Sequence, residues 1–192
     1  MEPASARERQ RRDSWRALQH AAVELVGRRG FAAVTVDDVA AAAGVSRRTF
    51  FNHFPTKAAA LFDPDPADVE LLHRLLAETD GSADLWAALR TVWLAFLGEH
   101  RGLALIPVRR RLVDDPELAA HQRESHRFVE VALGRWVAEQ LPADPVTASL
   151  AGHAAGAVVG SAFATWSPEQ PPADFVAAAA RGFDRLAPAF RA

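Results

Sequence analysis

The sequence predicts an all-α protein, and three observations carry that prediction. Apolar residues recur at helical spacing along most of the chain. No segment sustains the apolar-polar alternation, rich in β-branched and aromatic residues, of a half-buried strand. Gly81-Ser82, Asp115-Pro116, Leu141-Pro142 and Pro171-Pro172 punctuate the periodic stretches where helices should stop and restart. At 192 residues, 49% apolar and 24% charged, the chain is long enough for one or two domains with real cores, and disordered or low-complexity classes are excluded.

From Ser14 onward, Trp15, Leu18, Ala22 and Leu25 mark one face of a first helix ending in Arg28-Arg29, with Gly30 suited to the left-handed position beyond it. Residues 7–12 (RERQRR) precede this helix and read as a frayed basic terminus, the alternative being an electrostatic arm along DNA. Thr35 is placed to cap a second helix over about 36–43, and Asp38 three residues later completes a capping box. Gly44 supplies a turn, Ser46 caps a third helix through about Phe54, and Pro55-Thr56 resets the chain for a fourth near Lys57. Asp63-Pro64-Asp65-Pro66 is the joint, because each proline disfavours helix at the residue before it. It divides the chain into 1–62 and 63–192. Beyond it, helices are expected at about 67–79, 83–99, 101–113, 116–140, 145–167 and 173–190.

The net charge of −2 hides an asymmetry, +4 over residues 1–60 against −6 over 61–192, so the N-terminal part is the one suited to a polyanion. With no cysteine there is no disulfide, thiolate zinc site, iron-sulfur cluster or cysteine nucleophile. Residues 1–13 lack the apolar stretch of a secretory signal, and the cytoplasm is the expected compartment. No nucleophile elbow, phosphate-binding glycine pattern or paired zinc histidines point to an enzyme, and no cofactor is expected. His121, Glu124 and His126 have the wrong spacing for a metal set and read as a solvated helix face.

Residues 35–54 (TVDDVAAAAGVSRRTFFNHF) read as a helix-turn-helix: Val36, Val39, Val45, Phe50 and Phe54 pack inward, and Ala40 is small where the helices cross. What faces out is Ser46, Arg47, Arg48, Thr49, Phe51, Asn52 and His53. Arginine suits guanine and asparagine suits adenine in a major groove, while Thr35 and Lys57 flank the motif as phosphate contacts. Residues 14–57 resemble the N-terminal domain of the TetR family of transcriptional regulators, through AAVELVGRRGF, the run just quoted, and PTK at the start of the fourth helix. One departure is Phe51, where the family commonly has a tyrosine whose phenol donates to a phosphate.

That resemblance implies a C-terminal regulatory domain that dimerises and encloses an effector, and 109–121 (RRRLVDDPELAAH) is similar to a subgroup that includes mycofactocin-type regulators. The apolar arc of 83–99 is too wide for one packing contact, so it is either buried on two sides as core or lines a cavity, and for the cavity Trp86, Leu89, Trp93, Phe96, Ile106, Arg109, Phe128, Phe163 and Trp166 are the candidate effector pocket. Such a pocket would take a small apolar molecule, or an anionic amphiphile if Arg109 points inward. Residues 145–168 contain no Asp, Glu, Lys or Arg, yet Ala and Gly dominate and the flanks are acidic, so a dimer interface is expected there rather than a membrane span. Small residues at every fourth position (Ala148, Gly152, Gly156, Gly160, Ala164) and the following face of Phe175 and Phe183 are its candidates. The expectation is a homodimeric repressor that binds a palindromic operator in double-stranded DNA and releases it on binding effector. A constitutive architectural DNA binder is the alternative.

Overall fold

The structure, a computed structural model, describes residues 6–190 except 114 and 143, and the side chains of all these but Arg101 and Glu117. Among the described residues every regular element is helical: α1 (Ala6–Arg29), α2 (Val36–Ala42), α3 (Arg47–His53), α4 (Lys57–Phe62), α5 (Pro66–Glu78), α6 (Leu85–Glu99), a 3-10 turn (Arg101–Leu105), α7 (Ile106–Leu112), α8 (Pro116–Gln140), α9 (Pro145–Thr165) and α10 (Pro172–Phe190). The all-α prediction holds. These residues divide into two compact units: the described residues up to Asp63 with Leu112–Ser125, and Pro64–Arg111 with the described residues from His126.

Two helices begin or break where the sequence reading did not place them. No Pro or Gly interrupts 6–26, and Arg, Glu and Gln are good helix formers, so α1 runs back to Ala6 and residues 6–12 are helical rather than frayed. Residues 1–5 lie outside the described residues. The helix expected over 101–113 is split because Pro107 has no N–H to donate to Leu103, and the α-helix restarts at Ile106 with Pro107 in its first turn.

In the first unit α1 is the scaffold. Leu18, Ala22, Leu25 and Val26 are buried on it together with Val39 and Ala40 of α2, Phe50 of α3 and Ala59 to Phe62 of α4. Trp15 meets Phe54 with ring centroids 5.1 Å apart, and Phe54 lies 5.9 Å from Phe50. Gln19 is buried but satisfied, its Nε2 donating to the Asp63 carbonyl at 2.9 Å, which ties α1 to the end of α4.

The second unit is built on α6, α9 and α10. Leu89, Val92, Trp86 and Phe96 of α6 share one core cluster with Ala148, Ala151, Ala155 and Val158 of α9 and Phe183 of α10. Trp86 stacks on Phe190 at 4.3 Å and donates its indole N–H to the Phe183 carbonyl at 3.0 Å. Helices α9 and α10 meet tightly at Gly182, where a Cβ would stand 2.7 Å from Val158 Cγ1. A second cluster joins Leu97, Ile106, Ala162, Trp166, Phe175 and Ala179.

Candidate functional site

The helix-turn-helix is fixed by short-range hydrogen bonds. The Thr35 hydroxyl accepts from the Asp38 N–H at 3.1 Å, and Asp38 Oδ2 accepts from the Thr35 N–H at 2.8 Å, so the capping box is complete. The hydroxyl and N–H of Thr35 hold the Asp38 carboxyl below the usual carboxylate range. Gly44 takes a φ of 67° in the turn, which leaves α3 free to start at once. The Ser46 hydroxyl accepts from the Thr49 N–H at 3.1 Å, while Phe50 is fully buried and sets which face of α3 is left over.

That outward face carries Arg47, Arg48, Phe51 and Asn52, all exposed, with Thr49 and His53 half-buried at its margins. Phe51 is 47% exposed and offers only apolar contact. Arg47 does not stand alone: its Nη1 lies 2.7 Å from Asp37 Oδ2, and its guanidinium sits 5.5 Å from the Phe51 ring centroid. With both partners more than half exposed, this ion pair is worth less than about 1 kcal/mol and opens readily. Asp37 was not singled out from the sequence, and nothing local in TVDD distinguishes it from a first-turn acid that favours the helix dipole.

Lys57 is turned inward. Its ammonium donates to the carbonyls of Phe31 and Val34 and lies 3.9 Å from the Phe31 ring centroid, and desolvation holds its pKa below the usual lysine value. Two of its three donors are spent on the loop ahead of Thr35. The third remains for the phosphate contact expected of Lys57.

Beside α3, an open groove of about 550 Å³ is lined by Arg7, Gln10, Arg11 and Ser14 of α1 and by Asn52 and His53 of α3. Burial, reinforced by the charge of Arg11, lowers the His53 pKa from its ordinary value.

In the second unit the predicted effector residues fall in two clusters. Trp86, Leu89 and Phe96 belong to the first, with Phe128 packed against it. Ile106 and Trp166 belong to the second, with Phe163 against it, and Trp93 packs on both. The Trp93 indole N–H is buried without a hydrogen-bond partner. Of the three consecutive arginines Arg109 is the most buried, 8% exposed, whereas half-buried Arg110 donates to the Ala164 carbonyl at 3.0 Å with its guanidinium 5.8 Å from the Phe163 ring centroid, and Arg111 pairs with Glu169 at 3.4 Å.

Arg109 converges with His100 on Gly102, where a Cβ would stand 3.2 Å from Arg109 Nη1 and 3.4 Å from His100 Nδ1. That Nδ1 is buried and has no hydrogen-bond partner. Burial first, and then the Arg109 charge, push the His100 pKa down to about 4. In the sequence Gly102 reads only as a helix break, and His100 does not stand out, because a lone histidine after an apolar helix carries no spacing signal.

The predicted dimer residues separate as well. Phe175 and Phe183 are interior, 2% and 0% exposed, with Phe175 against Trp166 and Phe163 and Phe183 against Trp86, so they are packing partners within the chain and not interface residues. Gly152 is half-buried, and its Cβ would make ordinary contact with Val137. Gly156 and Gly160 are exposed with nothing within 4 Å of a Cβ. On the same helix Val146 and Leu150 are 67% and 59% exposed. Among the described residues α9 is the one helix long and apolar enough to cross a membrane, a property of length and composition alone.

Residues 18–63 match the family model of bacterial regulatory proteins, tetR family. A curated relative, MftR of Mycobacterium tuberculosis (strain ATCC 25618 / H37Rv), which bears the name of a mycofactocin biosynthesis transcriptional regulator, is 30% identical over 125 residues, 64% of this chain. The chain spans 63% of that relative's length. Among solved structures, the fatty acid degradation regulator FadR from Bacillus halodurans superposes with a TM-score of 0.63 at 16% identity over 99% of both chains, a likeness of fold. FadR of Thermus thermophilus, a TetR-family transcriptional repressor solved in complex with lauroyl-CoA, gives a TM-score of 0.50 at 26% identity over 90% of this chain and 92% of that one.

Proposed function

We propose, from the premise that this chain belongs to the TetR family of transcriptional regulators, that it is a homodimeric cytoplasmic repressor releasing its operator when an anionic amphiphile binds its C-terminal unit. The observation that carries the DNA reading is the α3 face: Arg47, Arg48 and Asn52 are presented to solvent on a helix whose opposite side is locked by the fully buried Phe50. In this reading Arg48 and Asn52 contact base edges, Arg47 joins them by leaving Asp37, and Ser46, Thr49, Thr35 and Lys57 hold the frame in place. Phe51 supplies apolar contact to a thymine methyl or sugar.

The anionic effector rests on Arg109 and His100. A buried guanidinium beside a half-buried imidazole whose Nδ1 is shielded from solvent favours a carboxylate or phosphate, and because arginine has five donors it can keep a partner within the chain and still offer one to a ligand. Phe96, whose ring centroid lies 5.3 Å from that of His100, is the aromatic wall beside that polar end, and Trp93 packs on both clusters. The Thermus relative solved with lauroyl-CoA supports an acyl chain with an anionic head. Release then requires only that the ligand favour the conformation with lower DNA affinity.

Dimerisation through the exposed face of α9 would cover Val146, Leu150, Gly156 and Gly160. Selection of binding sites from randomised duplex DNA tests the first part: enriched sites should be palindromic, with half-sites about 34 Å apart or a multiple of it. Lauroyl-CoA should then release the selected duplex and quench or shift indole emission, and Arg109→Gln should blunt both. No enrichment over random duplex overturns the regulator reading. Enrichment that lauroyl-CoA and other anionic amphiphiles leave untouched favours a constitutive DNA binder.

A further inference from the structure

The opening turns of α1 do work that the core of the first unit does not ask of them. Burial on α1 starts at Trp15, while residues 6–11 are all exposed. Arg7 and Arg11 stand one helical turn apart on the same side, a like-charge pair that destabilises an isolated helix by roughly 0.2–0.5 kcal/mol. Both line the groove of about 550 Å³ whose other wall is Asn52 and His53 of α3, and among the described residues no carboxylate lines it. Every side chain in that lining carries a hydrogen-bond donor, two guanidiniums, two amides, a hydroxyl and an imidazole, although the Ser14 hydroxyl spends its own on the Gln10 carbonyl at 2.9 Å. Such a concave donor set beside a base-reading helix fits a singly charged group with two acceptor oxygens.

We infer that this groove seats one phosphodiester of the DNA backbone, with Arg7 and Arg11 as its charged ligands and Asn52 and His53 closing it from α3. The inference rests on the reading that α3 enters the major groove. It adds a sequence-independent clamp continuous with that helix and placed by the extra turns of α1. His53, kept neutral by burial and by Arg11, contributes a hydrogen bond rather than a second repelling charge. The clamp also supplies a backbone contact that Phe51, lacking a phenol, does not.

Arg7→Gln, Arg11→Gln and the double variant of the full chain test this, with Arg28→Gln as a control that removes the same charge from the far, exposed end of α1. Glutamine preserves helix propensity, and far-UV circular dichroism should be unchanged. Each groove variant should lose roughly tenfold in affinity at 0.1 M salt, for operator and random duplex alike, and flatten the salt dependence by about 0.9 log units per decade. Ethylation interference on the operator should show one phosphate per half-site whose modification weakens the wild type and leaves the double variant indifferent. Arg28→Gln should leave slope and footprint unchanged. Wild-type slopes in the groove variants, or an equal loss in Arg28→Gln, would overturn the clamp while α3 still reads its operator. Failure of the wild type to prefer any sequence would instead remove the parent reading, and the clamp with it.

Discussion

Helices α3 and α9 each leave one face to water, and the two faces obey different physics. The α3 face carries Arg47, Arg48 and Asn52, side chains that are fully hydrated at no cost until a polyanion arrives. The α9 face carries no ionisable group but His153 over 145–165, and it leaves Val146 and Leu150 more than half exposed beside the bare backbone of Gly156 and Gly160. Exposed apolar surface costs about 25 cal/mol for each Å² that could be buried. The first face is therefore complete on its own and suits a charged partner, whereas the second gains from being covered, which is why the proposed dimer seats a second copy of the chain there.

The largest effect should come from confusing the two sides of α3. Phe50→Ala should destabilise the protein by about 3–5 kcal/mol in urea unfolding, whereas Phe51→Ala next to it should stay within about 0.5 kcal/mol. Equal costs would mean that α3 is not seated as described.

Acid separates the buried charge of the second unit from the exposed charge of α3. His100 has its folded pKa depressed to about 4 from an ordinary 6.5, so the unfolded chain takes up the proton first. Stability is therefore full above about pH 6.5 and falls as the pH drops towards about 4, by up to about 3 kcal/mol. Urea midpoints for the wild type and His100→Gln should converge in acid, and a wild type no more acid-sensitive than the variant would contradict the buried imidazole.

Gly156→Leu probes the face of α9 directly. Because no atom lies within 4 Å of a Cβ there, the chain should fold normally yet sediment as a monomer, with operator affinity down at least about a hundredfold. An intact dimer with full affinity would move the interface elsewhere. The smallest effect belongs to Asp37→Asn, which frees Arg47: binding to random duplex should tighten by less than about fivefold while circular dichroism stays the same. Weaker binding would show that Asp37 positions Arg47 rather than restraining it.

What the sequence revealed depended on how far apart the cooperating residues lie. Thr35 with Asp38, Gly44, and Ser46 with Thr49 act within four residues of each other, and each was readable because its chemistry is local. Phe175 and Phe183 were misread because helical spacing says that a face is buried but not against what. The small residues at every fourth position share one exposed face only from Gly156 onward, for a geometric reason. A step of four residues advances about 40° around a helix, so Ala148, Gly152, Gly156 and Gly160 spiral from the buried side to the exposed one instead of forming one face. The real close approach, Gly182 on Val158, is a single position in each of two helices and leaves no periodic trace. The cradle of Arg109, His100 and Gly102 depends likewise on a 3-10 turn that Pro107 dictates but does not describe.

The Arg47–Asp37 pair bears on how such a protein travels along a chromosome. A regulator sorts through roughly a million or more wrong sites for each right one, and every cation that grips phosphate indiscriminately lengthens each stop. With Asp37 2.7 Å away, Arg47 carries its own counterion and adds little to that indiscriminate grip. In the proposed reading of α3 it changes partner only where a base edge offers a better one. The carboxylate would thereby shorten residence on irrelevant DNA and quicken the search, at a cost of less than about 1 kcal/mol once the operator is found.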